Sequence, residues 1–147
     1  MTELSNFRRI AAADSYLCIV ATARADSSMQ ASLVTAGVMV DPRSGDEVVA
    51  FVAAGGARKL VNLRARPWAT VVARSGWQWE AVEGKTELIG PDDPAAGFDA
   101  ERLRTLLREV FVAAGGTHDD WDAYDAAMVN ERRVVVFVRP ARAYSNG

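Results

Sequence analysis

The sequence predicts an α+β fold, mainly β: a six-stranded antiparallel β-barrel with flanking helices. Three observations point there. Six apolar segments rich in β-formers are separated by turn signals. Hairpin-like links between them favour antiparallel pairing. Six such strands leave few open edges when the sheet closes on itself. At 147 residues the chain is expected to be one domain, 1–147. A domain of that size buries roughly two-thirds of its unfolded surface.

Each element has its own signal. Residues 4 to 13 place Leu4, Phe7, Ile10 and Ala11 on one helical face. Tyr16 to Thr22 is an apolar run too short for a helix and reads as a strand buried on both faces. Asp26-Ser27-Ser28 turns the chain into a second strand, Gln30 to Val40. The turn at 41–46, which contains Pro42 and Gly45, leads to a third, Glu47 to Ala53. Ala57 to Arg66 is a short helix carrying Leu60 and Leu63, stopped by Pro67. Trp68 to Ala73 and Trp77 to Ile89 are the fourth and fifth strands, joined at Ser75-Gly76. Leu103, Leu106, Leu107, Val110 and Phe111 mark an amphipathic helix, with Asp99 as N-cap and Gly115-Gly116 as its stop. A second helix, Asp119 to Val129, puts Trp121, Tyr124 and Met128 on one face. Arg133 to Arg139 is the final strand.

Composition narrows the function. Half the residues are hydrophobic and net charge is −2, so nothing global suggests a nucleic-acid partner. The basic residues are 15 Arg and only two Lys, Lys59 and Lys85, a bias read as GC-rich coding. No apolar stretch has the length of a membrane span. No signal-peptide core follows the charged stretch Met1 to Arg9, so a cytoplasmic location is expected. The single cysteine, Cys18, lies in an apolar run and reads as a small buried hydrophobe.

Catalytic constellations are sparse. The one histidine, His118, stands among Asp119, Asp120, Asp122 and Asp125. These acids fit a helix N-terminus, with Thr117 and Asp120 as a capping box, better than metal ligands, and no metal is expected. The segment Gly55-Gly56-Ala57-Arg58-Lys59 is more informative. A glycine pair lets backbone approach a ligand, and a helix start turns free N–H groups toward an anion. Arg58 and Lys59 add positive charge where it opposes the helix dipole, so helix stability does not explain them. Gly76-Trp77-Gln78-Trp79 is the second candidate. Strand alternation would set Trp77 and Trp79 on one face, as core or as a slot for a planar ligand.

Three ordered stretches carry a resemblance. Arg58 to Pro67 resembles a Lys-x-x-Asn-Leu-Arg-x-x-Pro signature, which includes Asn62. Gly76 to Gly84 is similar to Gly-Trp-x-aromatic-x-x-Val-x-Gly. Asp120 to Tyr124, continued by Ala127 to Val135, completes the set. Together they resemble the deazaflavin (coenzyme F-420)-dependent split β-barrel oxidoreductases of the pyridoxamine 5'-phosphate oxidase class. The resemblance implies a homodimer with two cofactor sites at the subunit interface. It places the cofactor phosphate and tail around Arg58, Lys59 and Asn62, and the ring against Gln30, Ser32, Val52, Ala53 and Ala54. The Gly76-Trp77 turn would reach in from the partner subunit, and Trp79 is counted with the cofactor-binding residues. The chain departs from the pattern at Ala57, where relatives often carry a basic residue.

The expected activity is a reductase that passes hydride from reduced F-420 to a small unsaturated, quinone-like or tetrapyrrole-like acceptor. The alternatives are an FMN-binding oxidoreductase of the same class and a non-catalytic deazaflavin-binding or storage protein. No side-chain acid is evident. Tyr16 and Tyr144 are the proton donors to consider if either reaches the site.

Overall fold

The computed structural model describes residues 3–147; of the stretch Met1 to Arg9, the first two residues lie outside them. In chain order the elements are α1 (Ser5–Ala13), β1 (Leu17–Ala23), β2 (Met29–Val40), β3 (Glu47–Ala53), α2 (Arg58–Ala65), β4 (Trp68–Ser75), β5 (Gln78–Ile89), α3 (Ala100–Ala113), α4 (Trp121–Asn130) and β6 (Val134–Ser145). The strands close into a barrel in the order β1-β2-β3-β6-β5-β4. All six pairings are antiparallel. The expected architecture is the observed one.

The final strand is longer than the sequence suggested, running to Ser145 rather than Arg139. Pro140 reads as a stop because it cannot donate to a ladder. Here it pairs with Gly84 at an irregularity between Glu83 and Gly84, the kind of place where a sheet tolerates proline. A Cβ on Gly84 would lie 1.7 Å from the Arg139 carbonyl oxygen, so the close approach requires glycine.

The core has two layers. The barrel interior packs Cys18, Val20, Phe51, Val71 and Val136 with Leu4 at the N-cap of α1, Phe7 and Ile10 of α1, and Leu60 and Leu63 of α2. The outer layer packs Val48 and Ala50 of β3 and Val135 and Phe137 of β6 against Leu106, Leu107 and Val110 of α3 and Tyr124 of α4. Each large apolar side chain so buried contributes about 1.5–3 kcal/mol. Burial pushes the Cys18 thiol up to about 12, which leaves it inert as a nucleophile. At the β2–β3 turn the fully buried Asp41 is gripped by Arg43 and Arg139, which also share Glu87.

The strand expected to be buried on both faces, β1, is buried on only one. Cys18 and Val20 point inward, whereas Leu17 and Ile19 are 38% and 43% exposed. The reason is coverage. Helix α3 lies over β2, β3 and β6, and among the described residues Leu17 and Ile19 of β1 join neither buried cluster.

Helix α3 begins as expected, its first turn fixed by Asp99 accepting the Arg102 N–H at 2.8 Å. Helix α4 does not begin with the expected Thr117–Asp120 capping box. Asp120 is itself the N-cap and accepts the Ala123 N–H at 3.1 Å. The chain between the two helices is occupied by His118 instead. Its Nδ1 accepts the Asp120 N–H at 3.0 Å, and its ring packs near Phe111, Trp121 and Tyr124.

Candidate functional site

The start of α2 differs from the starts of α3 and α4. Those helices have aspartate caps and an acid, Glu101 or Asp122, in the first turn. Helix α2 has Ala57 at its N-cap, no side-chain cap bond and no acid in the first turn. It opens on Arg58 and Lys59 instead. Uncapped N–H groups and two cations at the positive end of a helix are unfavourable alone and suited to an anion.

The glycine pair ahead of it divides its roles. A Cβ on Gly55 would sit 2.7 Å from the Arg132 carbonyl oxygen and 2.8 Å from the Arg132 Cβ. The Gly55 N–H donates to the Glu131 carbonyl at 3.0 Å. Gly55 thus serves the contact with the α4–β6 link. Gly56 faces open space, with nothing within 4 Å of a Cβ built there, and its backbone is the part a ligand can approach.

Lys59 is half-buried. Desolvation holds its ammonium below the ordinary lysine value, and the positive charge of Arg133 adds to that effect. Among the described residues no carboxylate pairs with it. Arg58 is exposed. The other two arginines of this segment are engaged elsewhere. Arg64 grips Asp93 through two bonds of 2.9 and 2.8 Å, and Arg66 Nε donates to the Ala23 carbonyl at 2.9 Å.

The remaining candidates around this turn take several positions. Asn62 is buried, and its Nδ2 donates to Thr22 Oγ1 and Gln30 Oε1, each at 3.1 Å. That amide ties α2 to the end of β1 and the start of β2, and it brings Asn62 and Gln30 together. Ser32 lies two residues further along β2 and is half-buried. Ala53 is in the barrel interior, and Ala54 is half-buried at the turn. Val52 points outward into a pocket of about 240 Å³ that Thr35, Phe111, Tyr124, Met128 and Arg133 also line. The Tyr124 hydroxyl donates to the Leu107 carbonyl at 3.0 Å, and burial pushes its pKa up to about 12.

Gly76, Trp77 and Trp79 form a separate group. Ser75 pairs with Gln78, so Gly76 and Trp77 make a two-residue hairpin loop with Gly76 at φ +60°, the position where such loops favour glycine. Trp77 lies in that loop and is 93% exposed; it does not share a strand face with Trp79. The two indoles nevertheless line one shallow groove with Val72 and Arg74. Asn146 clamps the hairpin, donating to the Trp77 carbonyl at 2.6 Å and accepting the Trp79 N–H at 3.0 Å. The β1–β4 register puts this hairpin at the barrel end where β1 begins, whereas α2 sits where β1 ends. Within one chain the two groups therefore occupy opposite ends of the barrel.

Tyr144 packs edge-on against Trp79 and its hydroxyl lies 3.3 Å from Glu83. Tyr16 packs against the barrel interior cluster beneath Gly115. Neither is among the residues of the Val52 pocket. Among the described residues no group of three or more His, Cys, Asp and Glu is placed to hold a metal. Sequence reasoning missed Arg133 and Thr35 as pocket residues. Both are distant from Lys59 in the chain. The only local signal was the position of Arg133 at the entry to an apolar strand.

No family model matches the chain. Solved structures share its fold. A conserved hypothetical protein from Mycobacterium tuberculosis is 19% identical with a TM-score of 0.69, the match covering 99% of this chain and 84% of that one. A pyridoxamine 5'-phosphate oxidase-related, FMN binding protein from Nostoc punctiforme is 9% identical with a TM-score of 0.64, covering 99% and 84%. An F-420 reductase is 19% identical with a TM-score of 0.60, covering 88% and 90%. The chain thus shares the barrel fold of these structures.

Proposed function

We propose that this chain is a flavin- or deazaflavin-type oxidoreductase whose cofactor is F-420, held at the start of α2. The observation that carries the reading is the half-buried Lys59, with no carboxylate opposite it among the described residues, at the uncapped start of a helix. The fold supports it, since structures with this barrel include an FMN binding protein and an F-420 reductase.

The residues fit such a group. Lys59, Arg58 and the Gly56 backbone would hold the phosphate. Val52, Thr35 and Phe111 would shield one side of the ring from water. When bound in its reduced form, F-420 would supply a hydride to an unsaturated, quinone-like or tetrapyrrole-like acceptor and be left oxidised. The site would be completed across a homodimer, where the partner subunit's Trp77 closes it. That reading accounts for a tryptophan left 93% exposed at a rigid hairpin tip.

A second reading, with FMN as cofactor, gains from one observation. Arg64 and Arg66 are engaged by Asp93 and Ala23, so the cation cluster available to an acidic tail is smaller than the sequence suggests. Fluorescence titration of the purified protein with F-420 and with FMN separates the two. Tighter F-420 binding is expected. Equal or tighter FMN binding would move the assignment to FMN, and binding of neither would end both readings.

A further inference from the structure

The β3–α2 turn and the α4–β6 turn are pressed together. The Gly55 N–H donates to the Glu131 carbonyl at 3.0 Å, and Gly55 packs on Arg132. The next residue, Arg133, is fixed by its own N–H, which donates to the Met128 carbonyl at 3.0 Å. Its guanidinium is oriented by Glu131 Oε1, which accepts from Nε at 3.0 Å and from Nη2 at 2.6 Å. That leaves Nη1 with no partner among the described residues. Arg133 lines the same pocket as Val52 and Thr35. Its charge is near enough to Lys59 to disfavour the ammonium there.

Like charges brought together at a seam do not help a chain to fold. Around this one stand Lys59, Arg58 and Arg133, and among the described residues only Arg133 has an acid partner, Glu131. The neighbouring arginines are satisfied locally: Arg132 by Asp92, and Arg104 by Glu101 and Asp125. We propose that Arg133 is a further ligand-contacting residue, and that the phosphate of the bound ligand is shared between it and Lys59 across the α2–β6 seam. The inference rests on the cofactor reading above and adds to it a residue that selects for phosphate. A phosphate at the seam anchors a ligand whose apolar part lies over Val52 in the pocket.

The two-lysine composition makes the geometry directly readable. With carbon-13 at lysine Cε, NMR gives one signal each for Lys59 and Lys85. Without cofactor, Arg133→Met should raise the Lys59 titration midpoint and leave that of Lys85 in place. Inorganic pyrophosphate should shift the Lys59 signal in the unsubstituted protein and much less in the variant. In titrations with F-420 (a phosphate diester), FMN (a monoester) and riboflavin (no phosphate), Arg133→Met should weaken the first two by about ten- to a hundredfold. Riboflavin binding should change by less than about twofold, and Arg133→Lys should recover part of the loss. Arg133→Gln serves as the neutral variant if Arg133→Met does not fold. A Lys59 titration indifferent to Arg133, or an equal loss for riboflavin, would overturn the proposal. If pyrophosphate binding and the Lys59–Arg133 coupling persist while neither F-420 nor FMN binds, the cofactor reading falls and the anion-binding pair stands.

Discussion

At the scale of single residues, side chains adjacent in sequence serve different ends. Gly55 and Gly56 look equivalent in the chain, and the sequence suggests that both admit a ligand. Only Gly56 has space beside it; Gly55 is needed because Arg132 passes close by. Gly55→Ala should therefore destabilise by about 1–3 kcal/mol through overpacking. Gly56→Ala should stay within about 0.5 kcal/mol. Chemical denaturation of the two variants checks the pair, and equal losses would contradict the assigned roles. The sequence singles out Lys59 because a cation at a helix start has no structural rationale. It does not single out Arg133, whose place near Lys59 is set by a tertiary contact between two turns. Asn62 was placed among the cofactor residues by resemblance. The structure shows its amide bonded to Thr22 and Gln30, which fixes the helix that carries Lys59.

At the scale of elements, the strands and helices were largely legible from periodicity, turn residues and caps. The departures occur where tertiary context overrides local chemistry. Strand β6 runs through Pro140 because an irregularity opposite it at Gly84 absorbs the missing donor. Helix α4 takes Asp120 as its cap because Asp120 is the residue adjoining the first helical turn. Helix α2 has no side-chain cap and opens on two cations, a start poor for stability, and this gives a test with two opposed signs. Ala57→Asp supplies the missing cap and an acid for the dipole, so it should stabilise the protein by about 0.5–1 kcal/mol. The same carboxylate would stand beside Lys59 and the expected phosphate, so cofactor affinity should fall severalfold. Thermal unfolding and fluorescence titration of one variant read both effects. A gain in stability with unchanged affinity would remove the anion from the helix start.

At the scale of the whole molecule, the barrel was legible, and one face of it was misjudged in an instructive way. The apolar run at Tyr16 to Thr22 reads as a strand covered on both sides, yet the outer side of β1 is open. Ile19 pairs with Leu33 of β2 and with Val72 of β4, and Leu33 is 62% exposed. An apolar row across three strands of the barrel is costly to leave in water. Covering it with a second copy would restore the burial that the sequence implies, and the two ends of the candidate site could then meet. Ile19→Glu and Leu33→Glu should each convert a dimer to a monomer in sedimentation at micromolar concentration. A parent protein that sediments as a monomer would contradict the shared site. The central claim is that an anionic cofactor is held by Lys59, and the most direct measurement compares its affinity in Lys59→Ala and Lys85→Ala. Lys85 is exposed on β5, so its loss controls for one positive charge without local contacts. A charge-assisted phosphate contact is worth about 1.5–3 kcal/mol, so Lys59→Ala should weaken F-420 binding roughly ten- to a hundredfold. Lys85→Ala should have a small, salt-screened effect. Equal effects of the two substitutions would contradict the account.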